Sequence, residues 1–301
     1  MARARFQILD VFTDRAFAGN RLAVVFDARP LTEPTFAAVA REFGFSETVF
    51  ALPSRRSDCV RRLRIFTPEA ELPFAGHPTI GAALALTAEG YLALSPEGER
   101  FAFDLDAGPT AISIDSDAAR ATVTAPLAPT QGTTTGHEAV AEALRLTPGD
   151  VMTEPHEPVD SGAGLPFLFA RLASLDALAR ARPDRSTLAR LPSPGARHGI
   201  VCYTPVSGDA EDFRVRVFVP EMGIEEDPAT GSAAAGLGGL LATLAPSADG
   251  SLAYRLAQGI EMGRPSRLDV RADKTGGIVT AVHVTGAAVM VADGWLALPA
   301  A

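Results

Sequence analysis

Two short motifs in the 301-residue chain bring together groups that could hold an anion and orient it. One is Gly76-His77-Pro78, and the other is Asp227-Pro228 followed by Gly231-Ser232. Each precedes an apolar run without charges, so each reads as the start of a buried helix. The first turn of a helix presents backbone N–H groups and the positive end of the dipole, a ready site for a carboxylate. Gly76, Gly81, Gly231 and Ser232 keep side-chain bulk low there and would let a ligand reach the main chain. Inside the helices, Gly and Ala serve close packing. His77 and Asp227, which replace each other across the two motifs, are the candidates for function, with an ordinary N-cap as the alternative for Asp227.

Glu47 is the candidate acid/base. If Phe45 to Ala51 is a strand, Glu47 shares a face with Phe45, Val49 and Ala51, and a carboxylate then sits on an otherwise apolar side. Burial there would raise its pKa towards neutrality, which suits a group that must take a proton and return it. The competing reading is a strand-end glutamate facing water.

Other chemistries find no support. The five histidines show no zinc-ligand spacing among themselves or with Cys59 and Cys202, so no metal and no cofactor are expected. Gly236-Leu237-Gly238-Gly239 lies inside the second apolar run and is not a dinucleotide fingerprint. There is no nucleophile elbow and no phosphate-binding loop.

The elements that must position these residues form a repeat. Arg64-Ile65-Phe66-Thr67-Pro68-Glu69 recurs as Arg216-Val217-Phe218-Val219-Pro220-Glu221, and His77 to Ala83 lies over Asp227 to Ala233. Ser46 to Pro53 lies over His198 to Pro205, which puts Gly199 opposite Glu47, and Gly108 to Ile114 resembles Arg264 to Val270. Turns between apolar strands can resemble one another, but four anchors in the same order favour a duplicated domain. Thr32, Pro34 and Gly44 bound a surface helix with Phe36, Val39, Ala40 and Phe43 on one face. Strands follow at 48–51, 60–66, 101–105, 111–114 and 121–124. Pro78 to Ala88 and its counterpart Thr230 to Leu244 read as helices buried on every side, and Ala125 to Gly136 as a connection. The expectation is an α+β fold with pseudo-twofold symmetry, each domain a mostly antiparallel, barrel-like sheet around a central helix. Residues 1–117 with 286–301 would form the first domain and 118–285 the second.

Composition narrows the class of partner. Charged residues make up 21% and hydrophobic ones 47%, as in folded globular chains, and the net charge of −9 has the wrong sign for tracking phosphate backbones. No nucleic-acid partner is expected. The uncharged stretch from Pro228 to Ala248 is rich in Gly and Ala and reads as a packed helix, so no membrane span is expected. The basic N-terminus meets Asp10 and Asp14 before an export signal can develop, and two cysteines fit a reducing compartment.

The chain also resembles the phenazine-biosynthesis PhzF-like isomerase family. The resemblance rests on Asp10-Val11-Phe12-Thr13, Phe17-Ala18-Gly19-Asn20, Phe45 to Phe50, Leu72 to Thr79, Glu226 to Ala233, Gln258-Gly259 and Met262 to Ser266, and runs nearly end to end. It implies a diaminopimelate epimerase-like fold, a homodimer in the cytoplasm, and a cofactor-independent isomerase acting on a small carboxylate-bearing substrate. By resemblance, Glu47 moves a proton between carbons, as a glutamate does on trans-2,3-dihydro-3-hydroxyanthranilate in that family. His77 and Asp227 contact the substrate; Gly76, Gly231 and Ser232 match its positions at the helix starts. Arg21 stands where the family commonly has proline. The site is expected between the two halves. Alternatives on the same fold are an amino-acid epimerase, racemase or dehydratase, or a binding protein without turnover. Racemases of the fold use two cysteines at the helix starts, and neither Cys59 nor Cys202 lies in those motifs.

Overall fold

The computed structural model describes residues 3–28, 31–117, 119–208, 210–220 and 223–298. Met1 and Ala2 of the N-terminal motif, Ala118 at the expected domain boundary, Glu221 of the repeat and residues 299–301 lie outside them. The chain forms two compact units, Met1–Thr124 with Thr285–Ala301, and Ala125–Val284.

The first unit runs β1 (Arg3–Val11), β2 (Asn20–Val25), α1 (Glu33–Phe43), β3 (Glu47–Leu52), β4 (Arg61–Phe66), β5 (Glu71–Leu72), α2 (Gly76–Ala88), β6 (Glu99–Leu105), β7 (Gly108–Ile114) and β8 (Ala121–Thr124). The second runs β9 (Thr130–Thr134), α3 (His137–Ala143), β10 (Val159–Gly162), β11 (Phe167–Arg171), α4 (Leu175–Arg180), α5 (Arg185–Leu188), β12 (Ile200–Pro205), β13 (Phe213–Val219), β14 (Ile224–Asp227), α6 (Gly231–Leu244), β15 (Gly250–Gln258), β16 (Ser266–Thr275) and β17 (Ile278–Gly286). The last strand, β18 (Ala288–Ala297), returns to the first unit and pairs with β1.

Pairing repeats from unit to unit. In the first the order is β18-β1-β2-β3-β4-β6-β7-β8, with β5 sharing an edge of β4; β2/β3 and β4/β6 are parallel and the others antiparallel. In the second it is β9-β10-β11-β12-β13-β15-β16, with β14 sharing an edge of β13; β11/β12 and β13/β15 are parallel and the others antiparallel. The expected α+β duplication is therefore the observed architecture. Two corrections concern local structure. Residues 125–136 are not a bare connection, because β9 lies within them and pairs with β10; its polar, exposed residues gave no apolar alternation to read. The first unit extends through Thr124, since β8 pairs with β7.

Each sheet curls around its own helix. α2 touches β1, β2, β3, β7, β8 and β18, strands from both ends of the order, and α6 likewise touches β9, β10, β11, β15 and β16. Every residue of α2 from Gly76 to Leu86 is buried, so the segment can carry no charge and little polarity. At the C-terminal end of α6 the buried Lys274 donates to the carbonyls of Ala242 (2.9 Å) and Ala245 (2.7 Å), placing a cation where the dipole is negative. α1, bounded by Thr32 and by Gly44 in the left-handed conformation, packs Phe36 and Ala40 outside the first sheet against Phe50 and Phe66. In the second unit α3, α4 and α5 cover β11 to β13 in the same way.

Glycines set how closely helix and strand approach. A Cβ at Gly81 would overlap Leu22 and come within 2.8 Å of Val11, both fully buried. A helical Gly→Ala change ordinarily gains about 1 kcal/mol. We expect Gly81→Ala to lose about 1–2 kcal/mol net, since overpacking outweighs that gain. A lower urea midpoint at unchanged slope would show it, and a raised midpoint would refute the packing role.

Candidate active site

Glu47 opens β3, level with Leu22 of β2 in the parallel pair and next to Thr48, which faces Phe66 of β4. Fully buried Val49 and Phe50 anchor the strand, so its first side chain is held at the edge of the core. His77 is the second residue of α2, entered through Ala75 in extended conformation. The Thr79 hydroxyl donates to the Ala75 carbonyl at 2.7 Å, fixing the first turn, and Pro78 suits it because an N–H there has no helical partner. Nε2 of His77 lies 3.3 Å from Oε2 of Glu47, with the two side chains 5% and 14% exposed.

Burial pushes the Glu47 carboxyl up to about 7, and a hydrogen bond from the Ser46 hydroxyl acts in the opposite direction. At neutral pH both its charged and neutral forms are populated, so it can accept or donate a proton. The first turn of α2 has no acidic residue. Glu47, brought from β3, is thus the carboxyl beside this helix start. The reading of Glu47 as a buried group on an apolar face describes the structure, and the water-facing alternative does not.

In the second unit Asp227 ends β14 and is buried. The Thr230 hydroxyl donates to its Oδ2 at 2.5 Å. Gln258 braces the same turn: Nε2 donates to the Asp227 carbonyl (2.7 Å) and the Thr230 hydroxyl (3.1 Å), and Oε1 accepts from the Thr230 N–H (3.2 Å). Gly259 follows at φ 73°, where a Cβ would meet the Arg264 carbonyl and come within 2.6 Å of the Pro228 carbonyl.

One expectation needs correcting. Asp227-Pro228 does not start a helix: α6 begins at Gly231, with Thr230 at its N-cap and Ser232 its second residue. Matched by helix start, Gly231 corresponds to Gly76 and Ser232 to His77. Matched by strand register, Val217 faces Asp227 as Ile65 faces Leu72, so Asp227 corresponds to Leu72. His77 and Asp227 therefore do not replace each other. The connections from strand to helix, 73–75 and 228–230, are equally long; the hairpin before them is longer in the second unit, where Val217 pairs ten residues on with Asp227 while Ile65 pairs seven residues on with Leu72, and the sequence match at nearly constant offsets aligned the wrong pair.

Asn20, Ser46, Thr230 and Gln258 were missed as site residues. Ser46 Oγ donates to Oδ1 of the buried Asn20 at 3.1 Å. Their residue types carried no chemical signal, although Asn20, Ser46, Thr230 and Gln258 all lay within the quoted motifs. Neither cysteine is at a helix start: Cys59 lies between β3 and β4, and Cys202 is inside β12, its thiol pushed up to about 12 by burial. Among the described residues no group of three or more His, Cys, Asp or Glu could hold a metal ion, and no helix is long and apolar enough to cross a membrane.

Residues 9–294 match the model of the family described as phenazine biosynthesis-like protein. An uncharacterized isomerase of Mesorhizobium japonicum is 36% identical over 98% of this chain and 99% of its own. The trans-2,3-dihydro-3-hydroxyanthranilate isomerase of Pseudomonas aeruginosa is 33% identical over 96% and 98%. Among solved structures, a phenazine biosynthesis protein of the PhzF family from Bacillus anthracis superposes with a TM-score of 0.89 at 24% identity, covering 99% of this chain and 100% of that one.

The buried carboxyl has a stability consequence. A group whose pKa rises from 4.5 to about 7 on folding contributes fully below about pH 4.5 and loses that contribution as pH rises to 7. The loss is on the order of 3 kcal/mol. Glu47→Gln should remove this pH dependence and be the more stable protein at pH 8, as measured by urea unfolding from pH 5 to 8. Parallel slopes against pH for both proteins would contradict the burial of an ionisable group there.

Proposed function

The chain belongs to the phenazine biosynthesis-like family and is an isomerase, and from that premise we propose that it moves a proton between carbons of a small carboxylate-bearing molecule without a cofactor. The observation that carries this reading is the buried Glu47 carboxyl, raised to about 7 and 3.3 Å from His77 at the start of α2. As the carboxylate it removes a proton from one carbon; as the acid it returns that proton to another carbon, and the shifted electron pair of the substrate closes the balance. His77 and Asp227 orient or polarise the substrate. Gly76, Gly231 and Ser232, at the first turns of α2 and α6, bind its carboxylate through small residues and helix N-termini. Asp227 is suited to this by the Thr230 and Gln258 hydrogen bonds that fix its rotamer and backbone. A homodimer located in the cytoplasm completes the proposal.

Two-base racemisation is disfavoured, because it needs a second acid/base on the opposite face of one carbon. The cysteines that serve so in related racemases have no counterpart at these helix starts.

Incubating the protein in deuterated water with a panel of cyclic amino and hydroxy acids, followed by NMR, tests the reading directly. Deuterium should enter a substrate carbon as the isomer forms. Glu47→Gln should keep the fold and ligand affinity within a few-fold while turnover falls by about 10²-fold or more. Exchange at no carbon across the panel, or full turnover in Glu47→Gln, would reject it; ligand binding without exchange in the parent would leave a binding protein.

A further inference from the structure

Two cavities meet at the end of α2 away from His77. The smaller, about 190 Å³, lies against Leu86 in the last turn of the helix, with Asp27, Leu52 and Pro53 around it. The larger, about 420 Å³, lies beside Val60, Leu92, Glu99, Arg100 and Phe101. Arg61 and Tyr91 line both. The larger one arises from a stagger between strands. β6 begins at Glu99, yet its pairing with β4 begins only where Phe103 meets Arg61, just after the Val60 N–H donates to the Ala102 carbonyl at 2.9 Å. Glu99 to Phe101 pair with β7 along one edge, and among the described residues no strand covers the other. Phe101 shares a face with the fully buried Phe103, their ring centres 5.3 Å apart, so the apolar face of β6 runs out into this space.

The lining fits one ligand chemistry. Tyr91 stacks on the buried Phe26, with ring centres 5.5 Å apart and planes 5° from parallel, which holds its ring in place although the residue is exposed. Val60 is a second exposed apolar side chain there. Arg61 is partly buried and lies over the Tyr91 ring, 5.6 Å from its centre. Among the described residues it makes no hydrogen bond or ion pair, whereas Arg62 and Arg64 on the same strand are paired with Asp106, Glu33 and Glu71. Its planar fork of donors, made to hold a carboxylate through two parallel bonds, thus lines both cavities without an acceptor. Two arginines against the single Glu99 leave the larger cavity net positive, whereas Asp27 balances Arg61 in the smaller one. The larger volume lies in the range of small-molecule sites, ~300–1,000 Å³. We propose that this is a second ligand site and that it takes a small aromatic carboxylate, with the carboxylate on the Arg61 fork and the ring against Tyr91, Leu92 and Phe101. Glu47 and His77 sit at the other end of α2, and binding here does not depend on the role given to them.

Titrating benzoate and phenylacetate into the full chain with ring-labelled tyrosine, followed by NMR, tests this, because the chain has only three tyrosines and Tyr91→Phe assigns the signal. The Tyr91 signal should shift saturably with either ligand while those of Tyr203 and Tyr254 stay in place. Arg61→Gln should weaken binding by about tenfold or more, the usual scale for losing a hydrogen-bonded charge pair. Benzylamine, which has the ring and the opposite charge, should not bind, and acetate, which lacks the ring, should bind far more weakly. Glu47→Gln should leave the Tyr91 response unchanged, which separates this site from a carboxylate held at the start of α2. No saturable shift of Tyr91 at millimolar ligand, parent affinity in Arg61→Gln, binding of benzylamine or acetate as tight as that of benzoate, or loss of the response in Glu47→Gln would each overturn the proposal. If Arg61→Gln does not fold, Arg61→Lys decides, since it keeps the charge and loses the fork: weaker binding supports the site, and parent affinity overturns it.

Discussion

A helix enclosed by a sheet on all sides imposes the constraint on which the rest of this structure depends. Water cannot reach its flanks, so α2 and α6 must be free of charge and thin where strands cross them, hence the glycines and alanines. The same enclosure leaves only the helix ends for polar chemistry. At the first turn of α2 the dipole supplies a positive potential in a site that excludes water, and the cost falls on whatever carboxyl is placed beside it. Glu47 meets that cost by holding its proton to near-neutral pH. Its instability as a buried carboxylate and the proton-carrying role proposed for it have one cause.

Holding strand, outer helix and helix start in register falls to a repeated arginine. Arg64 lies over Phe36 and Phe66 and pairs with Glu33 on α1 and Glu71 on β5. Its counterpart Arg216 lies over Phe218, pairs with Glu226 on β14, and donates to the carbonyls of Leu178 and Ala181 at the end of α4. Each guanidinium links the covering helix to the short strand that leads into the central helix. Arg64 and Arg216 are largely buried, and the forked geometry of arginine satisfies several acceptors at once, which a lysine could not.

Much of this was legible in the sequence because duplication writes its own evidence. The strands β3, β4, β6, β7 and β8, both central helices and the placement of Glu47 followed from periodicity and the repeat. What was not legible depends on groups that meet only in three dimensions. β9 is made of polar residues whose strand conformation comes from pairing with β10. Ser46 and Asn20 are far apart in sequence and adjacent in space. The pairing of His77 with Asp227 came from nearly constant offsets, which could not register the longer hairpin between β13 and β14.

The duplication also contains the reason why its halves differ. Thr48 faces Phe66 as Ile200 faces Phe218, which sets Gly199 in the place of Glu47. Gly199 has φ 143°, a conformation that L side chains rarely adopt, and a Cβ there would come within 2.6 Å of the Phe218 carbonyl and the Val219 side chain. The second unit therefore cannot carry an acid/base group at the matching position without rebuilding its backbone. The scaffold repeats its sheet, its enclosed helix and its small residues at the helix start, while a glycine in a conformation and space closed to side chains keeps a carboxyl from the matching position of the second copy. A chain with one such carboxyl is suited to carrying a proton along one face of a molecule, whereas inverting a carbon requires a second group across from the first.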